Sequence, residues 1–177
     1  MTQVDYKRAY QELYSLRQST AEVLAAAVTE LYPNIEIKGA TVDQSGFTYT
    51  FVFPGFTLSF LEAIERKMRE IISDKRTIEV KTMVVASAKG YLDHIGLKRA
   101  IKPEQEHTFV EIGEFIDLAS SYQIENTGDI KYFRLTGAEK KERCVVEISG
   151  TSFLDKKSFK EFKKRGLNES AGSSFLL

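Results

Sequence analysis

Near the N-terminus, apolar residues recur three and four apart at Tyr10, Leu13, Leu16, Thr20, Val23, Leu24, Ala27, Val28 and Leu31. That spacing predicts one amphipathic helix from about Tyr6 to Tyr32. Gln18 and Glu22, four apart, stack on the side opposite the stripe, where a solvated face is the plain expectation. Pro33-Asn34 ends the pattern and Ile35-Glu36-Ile37 begins a strand. The β-branched and aromatic run Gly46 to Phe53 lies between the turn signals Ser45-Gly46 and Pro54-Gly55, so it reads as a second strand. Ser59 and Glu62 have the spacing of a capping box, opening a helix that buries Leu61, Ile64, Met68, Ile71 and Ile72.

Thr77 to Val84 reads as a strand, Ser87 to Leu92 as a short helix, and the segment through Pro103 as a loop. From there the pattern is mainly β. His107 to Val110 and Phe115 to Leu118 flank Gly113 as paired strands, and Asp129 to Leu135 with Arg143 to Ser149 form a hairpin across Gly137 to Glu142. A last helix, Asp155 to Arg165, turns Phe159 and Phe162 inward. Strands in sequence with helices before and after them indicate an α+β fold. The expected architecture is an antiparallel sheet packed with the long N-terminal helix and a second helix. One domain covers residues 1–166, and the Ser/Gly-rich 167–177 is expected to be disordered. Leu16, Val23, Leu24, Ala27, Leu31, Ile64, Met68, Phe133, Val146 and Ile148 are the expected core.

A chain of 177 residues suits one domain with a sizeable core. Its 25 basic and 25 acidic residues cancel, so no global field attracts nucleic acid. Residues 154–165 depart from that average. Lys156, Lys157, Lys160, Lys163, Lys164 and Arg165 stand against Asp155 and Glu161, which is either a solvated helix face or a surface for phosphates. The single cysteine, Cys144, excludes an intramolecular disulfide and a cysteine-based zinc site. It alternates with Val146 and Ile148, so a buried thiol is expected. His94 and His107, in or beside loops, read as surface histidines. No Gly-rich phosphate loop is present. The N-terminus lacks the apolar stretch of a secretory signal and no run is long enough to span a membrane, so a cytoplasmic protein is expected.

Arg17-Gln18-Ser19-Thr20-Ala21-Glu22, followed by Glu30-Leu31-Tyr32-Pro33, resembles the editing domain that threonyl-tRNA synthetase shares with alanyl-tRNA synthetase. There the pattern is Arg-His-Ser-Thr-Ala-His and then Leu-Tyr-Pro. Further stretches match in order: Gly46-Phe47-Thr48-Tyr49, Leu61 to Met68, Gly113 to Leu118, Thr127 to Phe133 and Gly150 to Lys157. The resemblance covers about Tyr10 to Arg165. It implies a synthetase that continues into aminoacylation and anticodon-binding domains, so this chain is expected to be free-standing and unable to activate an amino acid.

In the family, His-x-x-x-His and Cys-x-x-x-His converge on a cleft that hydrolyses mischarged aminoacyl esters, and the alanyl relatives hold zinc there. The corresponding positions here are Gln18, Glu22, Ala119 and Gln123. Glutamine takes no proton and alanine offers no ligand, so no metal or other cofactor is expected. The oxygens would suit a hard cation only if they converged. Two family positions persist: Asp117 and Tyr49. They read either as framework or as groups that orient a water or a ribose. With Glu22 they form the candidate catalytic set, and Gln18, Gln123, Lys160, Lys163 and Lys164 the candidate binding set. Gln18, Glu22, Tyr49, Asp117 and Gln123 are expected to line one open, locally acidic pocket, leaving phosphates to the basic helix.

The preferred expectation is a catalytically degenerate editing-like domain that binds the acceptor end of tRNA, a nucleoside-like ligand or a protein partner. The alternative is a divergent trans-editing hydrolase that deacylates mischarged aminoacyl-tRNA. Such a hydrolase needs Glu22 shifted upward by burial, since an ordinary carboxylate is a weak base.

Overall fold

The first helix, α1 (Gln3–Leu31), is buried without a break from Leu16 to Val28. The computed structural model describes residues 3–103 and 106–172. After α1 come β1 (Glu36–Val42), β2 (Phe47–Val52), α2 (Phe60–Ser73), β3 (Ile78–Met83), α3 (Val85–Ile95), β4 (His107–Ile112) and β5 (Phe115–Leu118). A 3-10 turn at Thr127–Asp129, β6 (Tyr132–Lys140), β7 (Val145–Phe153) and α4 (Lys156–Gly172) complete the order.

The strands form two antiparallel sheets, β1-β2-β7-β6 and β3-β4-β5, and the fold is α+β as expected. α1 touches β1, β2 and β7 of the large sheet and also β4 and β5 of the small one. This second contact overturns the solvated face read for Gln18 and Glu22. The small sheet covers the side of α1 that periodicity leaves to water, so both side chains are buried. Conversely, the stripe's ends at Tyr6, Tyr10 and Leu31 are exposed, because the large sheet reaches only the middle of the helix.

The core otherwise follows the alternation of the strands. Phe47, Tyr49 and Phe51 of β2 and Val146 and Ile148 of β7 point at Val23, Leu24 and Ala27, while α2 adds Ile64, Met68 and Ile71. Fully burying one such side chain contributes about 1.5–3 kcal/mol. A smaller cluster of Ala88, Leu92 and Phe109 joins α3 to β4.

Several local expectations differ. Ser59 bonds to Thr57 Oγ1 at 2.7 Å rather than capping α2, so the capping box does not form. α3 begins two residues before Ser87 and ends three after Leu92. Cys144 is half-buried and lies before β7 begins, in the connection from β6. His107 is buried on β4, its Nε2 at 2.9 Å from the Lys102 carbonyl oxygen. α4 runs past Arg165 to Gly172, so residues 167–172 of the expected disordered tail are helical. The rest of that tail, 173–177, lies outside the described residues. No helix among the described residues is long and apolar enough to cross a membrane.

Candidate functional site

The small sheet and the large sheet meet α1 along a seam, and the inherited positions gather there. Tyr49 sits on β2, held between Ala40 of β1 and Ile148 of β7, with its ring stacked 4.8 Å from that of Phe51. Asp117 sits on β5 opposite Val110, and its side chain is wholly buried. The Tyr49 hydroxyl donates to Asp117 Oδ2, which bridges the two sheets.

Asp117 has further donors that sequence reasoning missed. α3 ends at Gly96, whose left-handed φ of 69° turns the chain back across the seam. Arg99 then reaches Asp117 with two bonds, Nε to Oδ1 at 2.9 Å and Nη2 to Oδ2 at 2.8 Å. The Leu118 amide donates to Oδ1 at 2.7 Å. Gly39, at a bulge in β1 with φ of 129°, makes room for this guanidinium: a Cβ there would lie 2.9 Å from Arg99 Nη2. A lone arginine in a loop carries no periodic signal, whereas Gly96 and Gly39 are visible as breaks in their elements.

Glu22 is the other buried carboxyl. Gln18 Nε2 lies 3.4 Å from its Oε1, and Oε2 is buried with no hydrogen-bond partner among the described residues. Burial, reinforced by the nearby Asp117 charge, pushes Glu22 well above the usual carboxylate range. Burial also raises Asp117, pulled back only in part by Arg99, Tyr49 and the Leu118 amide. Of the pair, Glu22 is the one pushed further toward its protonated form. Tyr49 is likewise held protonated, by burial first and then by Asp117.

A cleft of about 750 Å³ opens over this cluster, lined by Gln18 and Glu22 on one side and Ala119 and Ser120 on the other. Lys38, Lys98 and Arg99 also line it. The acidic pocket expected from the sequence is therefore not formed. Asp117 is neutralised by Arg99, burial pushes Glu22 toward its uncharged form, and lysines stand at the rim, one of them (Lys38) paired with Glu36 at 2.6 Å.

The structure brings Gln18, Glu22, Tyr49 and Asp117 together, with the last two beneath the cleft floor. Gln123 is not with them. It accepts from Ser19 Oγ at 2.7 Å and donates to the Ser120 carbonyl at 2.9 Å, and it lines a neighbouring cavity beside Tyr122. Ser19 also accepts from the Ile124 amide at 2.9 Å, which fixes that strand-to-turn segment against α1. Lys160, Lys163 and Lys164 are exposed on α4.

The zinc that the alanyl relatives imply does not fit this donor set. Gln123 faces away, Ala119 has no donor, and both Asp117 oxygens are engaged by Arg99. Among the described residues no group of three or more histidine, cysteine or acidic side chains could hold a metal ion.

This geometry defines an α+β domain with a polar, partly cationic cleft between two sheets. No protein-family model matches the chain. Threonine–tRNA ligases are similar to it. That of Nitrosococcus oceani is 32% identical over 164 residues, which is 85% of this chain and 26% of the ligase. The ligase of Campylobacter lari is 29% identical over 175 residues, 93% of this chain and 29% of the ligase. The Coxiella burnetii ligase is 32% identical over 164 residues, 85% of this chain and 25% of the ligase. The protein is therefore related to one segment of threonine–tRNA ligase, and it spans about a quarter of the length of these relatives.

Proposed function

We propose that this domain binds the acceptor end of tRNA in the cleft without hydrolysing its ester, as a degenerate relative of an editing domain. The observation that carries this reading is the state of Asp117. Its oxygens are occupied by Arg99, Tyr49 and the Leu118 amide, so it has no free lone pair aimed at a substrate water. Gln18 takes no proton, and burial drives Glu22 toward its protonated form, which offers a hydrogen bond instead of a base. Such a cleft holds hydroxyl, carbonyl and amine groups. Lys38 and Lys98 at its rim suit the last phosphate, and the rest of the tRNA backbone goes to the cationic side of the molecule that carries α4. The tRNA named for the related ligases supports this choice over a free nucleoside or a protein partner.

One observation favours a second reading, a hydrolase acting through Glu22. Its Oε2 is unpartnered and its affinity for a proton is raised, which is the shift a carboxylate base needs to work near neutrality. Deacylation of seryl-tRNA mischarged on a threonine tRNA separates the two. The binding reading expects tRNA to bind with no ester loss above the uncatalysed rate. Turnover that disappears in Glu22→Gln would establish the hydrolase instead.

A further inference from the structure

β6 is one edge of the large sheet, with α2 and α4 flanking it, and the three enclose a groove of about 500 Å³. Edge strands expose unpaired amides, and this one is closed by a side chain. Glu65 of α2 accepts from the Leu135 amide at 3.2 Å and takes the Arg69 guanidinium at 2.6 Å. Arg69 in turn lies 4.7 Å over the Phe133 ring. An added peptide strand would have to displace that whole arrangement, so β-pairing is disfavoured here.

The balance of charge in the groove is positive, with Arg66, Arg69, Arg134 and Lys163 set against Glu62 and the Arg69-paired Glu65. Arg66 from α2, Arg134 from β6 and Lys163 from α4 line it, and none of the three is paired with a carboxylate among the described residues. Lys163 is seated with its ammonium 4.5 Å over the Phe159 ring, which orients it into the groove. Lys160 and Lys164 do not line it. Guanidinium groups match phosphate oxygens in pairs, and several cations along a channel track a polyanion.

We propose that this groove takes the sugar–phosphate backbone of tRNA, through Arg66, Arg134 and Lys163. The proposal rests on the tRNA reading above for its partner and narrows the basic surface from the whole of α4 to the one lysine that faces β6.

The test measures binding of the intact protein to a fluorescent threonine-tRNA transcript over a salt series, by anisotropy. Arg66→Glu with Arg134→Glu should weaken binding about tenfold or more and lower the salt slope by about two. Lys89→Glu with Lys131→Glu makes the same charge change at exposed positions off the groove and should stay within about threefold. Arg66→Gln with Arg134→Gln repeats the test without reversed charge should the first pair fold poorly, and should show a smaller loss in the same direction. A transcript lacking its terminal CCA separates the two sites. The cleft reading expects that trimming to cost affinity, whereas the groove should still discriminate between the two variant pairs on the trimmed RNA. Equal losses for both pairs, or no loss from the groove pair, would overturn the proposal while leaving the cleft untouched. An unmodified protein that binds neither transcript would overturn both.

Discussion

Along β2 the inward residues Phe47, Tyr49 and Phe51 meet the fully buried middle of α1, whereas along β3 only Ile78 is buried and Glu79 to Thr82 face solvent. The large sheet shares one continuous core with α1 and α2, which the small sheet joins through Ile78, Val110, Ile112 and Phe115, while the modest cluster of Ala88, Leu92 and Phe109 packs the small sheet against α3. The difference places the candidate site on a seam between unequal walls. Glu22 and Tyr49 belong to the densely packed wall, Asp117 and Arg99 to the thin one, and the Tyr49–Asp117 bond joins them.

The largest effect should come from the dense wall. Phe51→Ala removes a fully buried ring and should lower stability by about 3–5 kcal/mol in denaturant unfolding. Phe109→Ala empties an equally buried site in the thinner cluster, where collapse is easier, and should fall at or below the low end of that range. Equal losses from the two would break the contrast between the sheets. Next is the pairing on the thin wall. Arg99→Ala leaves Asp117 buried without its cation and should cost about 3 kcal/mol, with Arg99→Lys recovering only part of it because lysine lacks the two-pronged fit. A loss below about 1 kcal/mol would mean that water already reaches Asp117 in solution.

How much of this was legible in the sequence depends on what covers each residue. The two-residue alternation of β2 and β7 and the three-and-four spacing of α2 predict their buried faces correctly, because each packs on one side only. The same logic misplaces Gln18 and Glu22, since a helix between two sheets is buried all round and periodicity reports only its more apolar side. The resemblance brought Tyr49 and Asp117 to one place, and they do meet. It also put Gln123 there, but the Ser19 hydroxyl holds that side chain toward the neighbouring cavity. Arg99 was illegible because its role depends on a chain reversal at Gly96 and on the space above Gly39, both tertiary facts.

A pH series tests the raised proton affinity of Glu22. The folded-state pKa of Glu22 lies above its ordinary value of 4.5, so the folded protein holds this proton more tightly than the unfolded chain. The contribution of the group to stability is then complete below about pH 4.5 and is lost as pH rises toward the folded pKa, by up to about 1.4 kcal/mol per pH unit. Glu22→Gln keeps the shape without the titration. Its stability relative to the unchanged protein should therefore rise with pH above that point. A constant difference at every pH would show that Glu22 is ionised in the folded state.

The smallest effect is the one that tests the seam itself. Tyr49→Phe removes a single hydroxyl and preserves the ring that stacks on Phe51, so the dense wall should be unaffected. Asp117 keeps Arg99 and the Leu118 amide and loses one donor, for a cost of about 1.5–2 kcal/mol typical of a hydrogen bond to a charged group. Because the hydroxyl is the direct side-chain link between β2 and β5, the loss should be unevenly distributed. Amide hydrogen exchange in β4 and β5 should quicken, while β2 and β7 keep the protection set by global unfolding. If all four strands quicken together, the two sheets open as one unit and the seam is not a boundary. If none does, the hydroxyl was not holding the sheets together, and the positioning of Asp117 belongs to Arg99 alone.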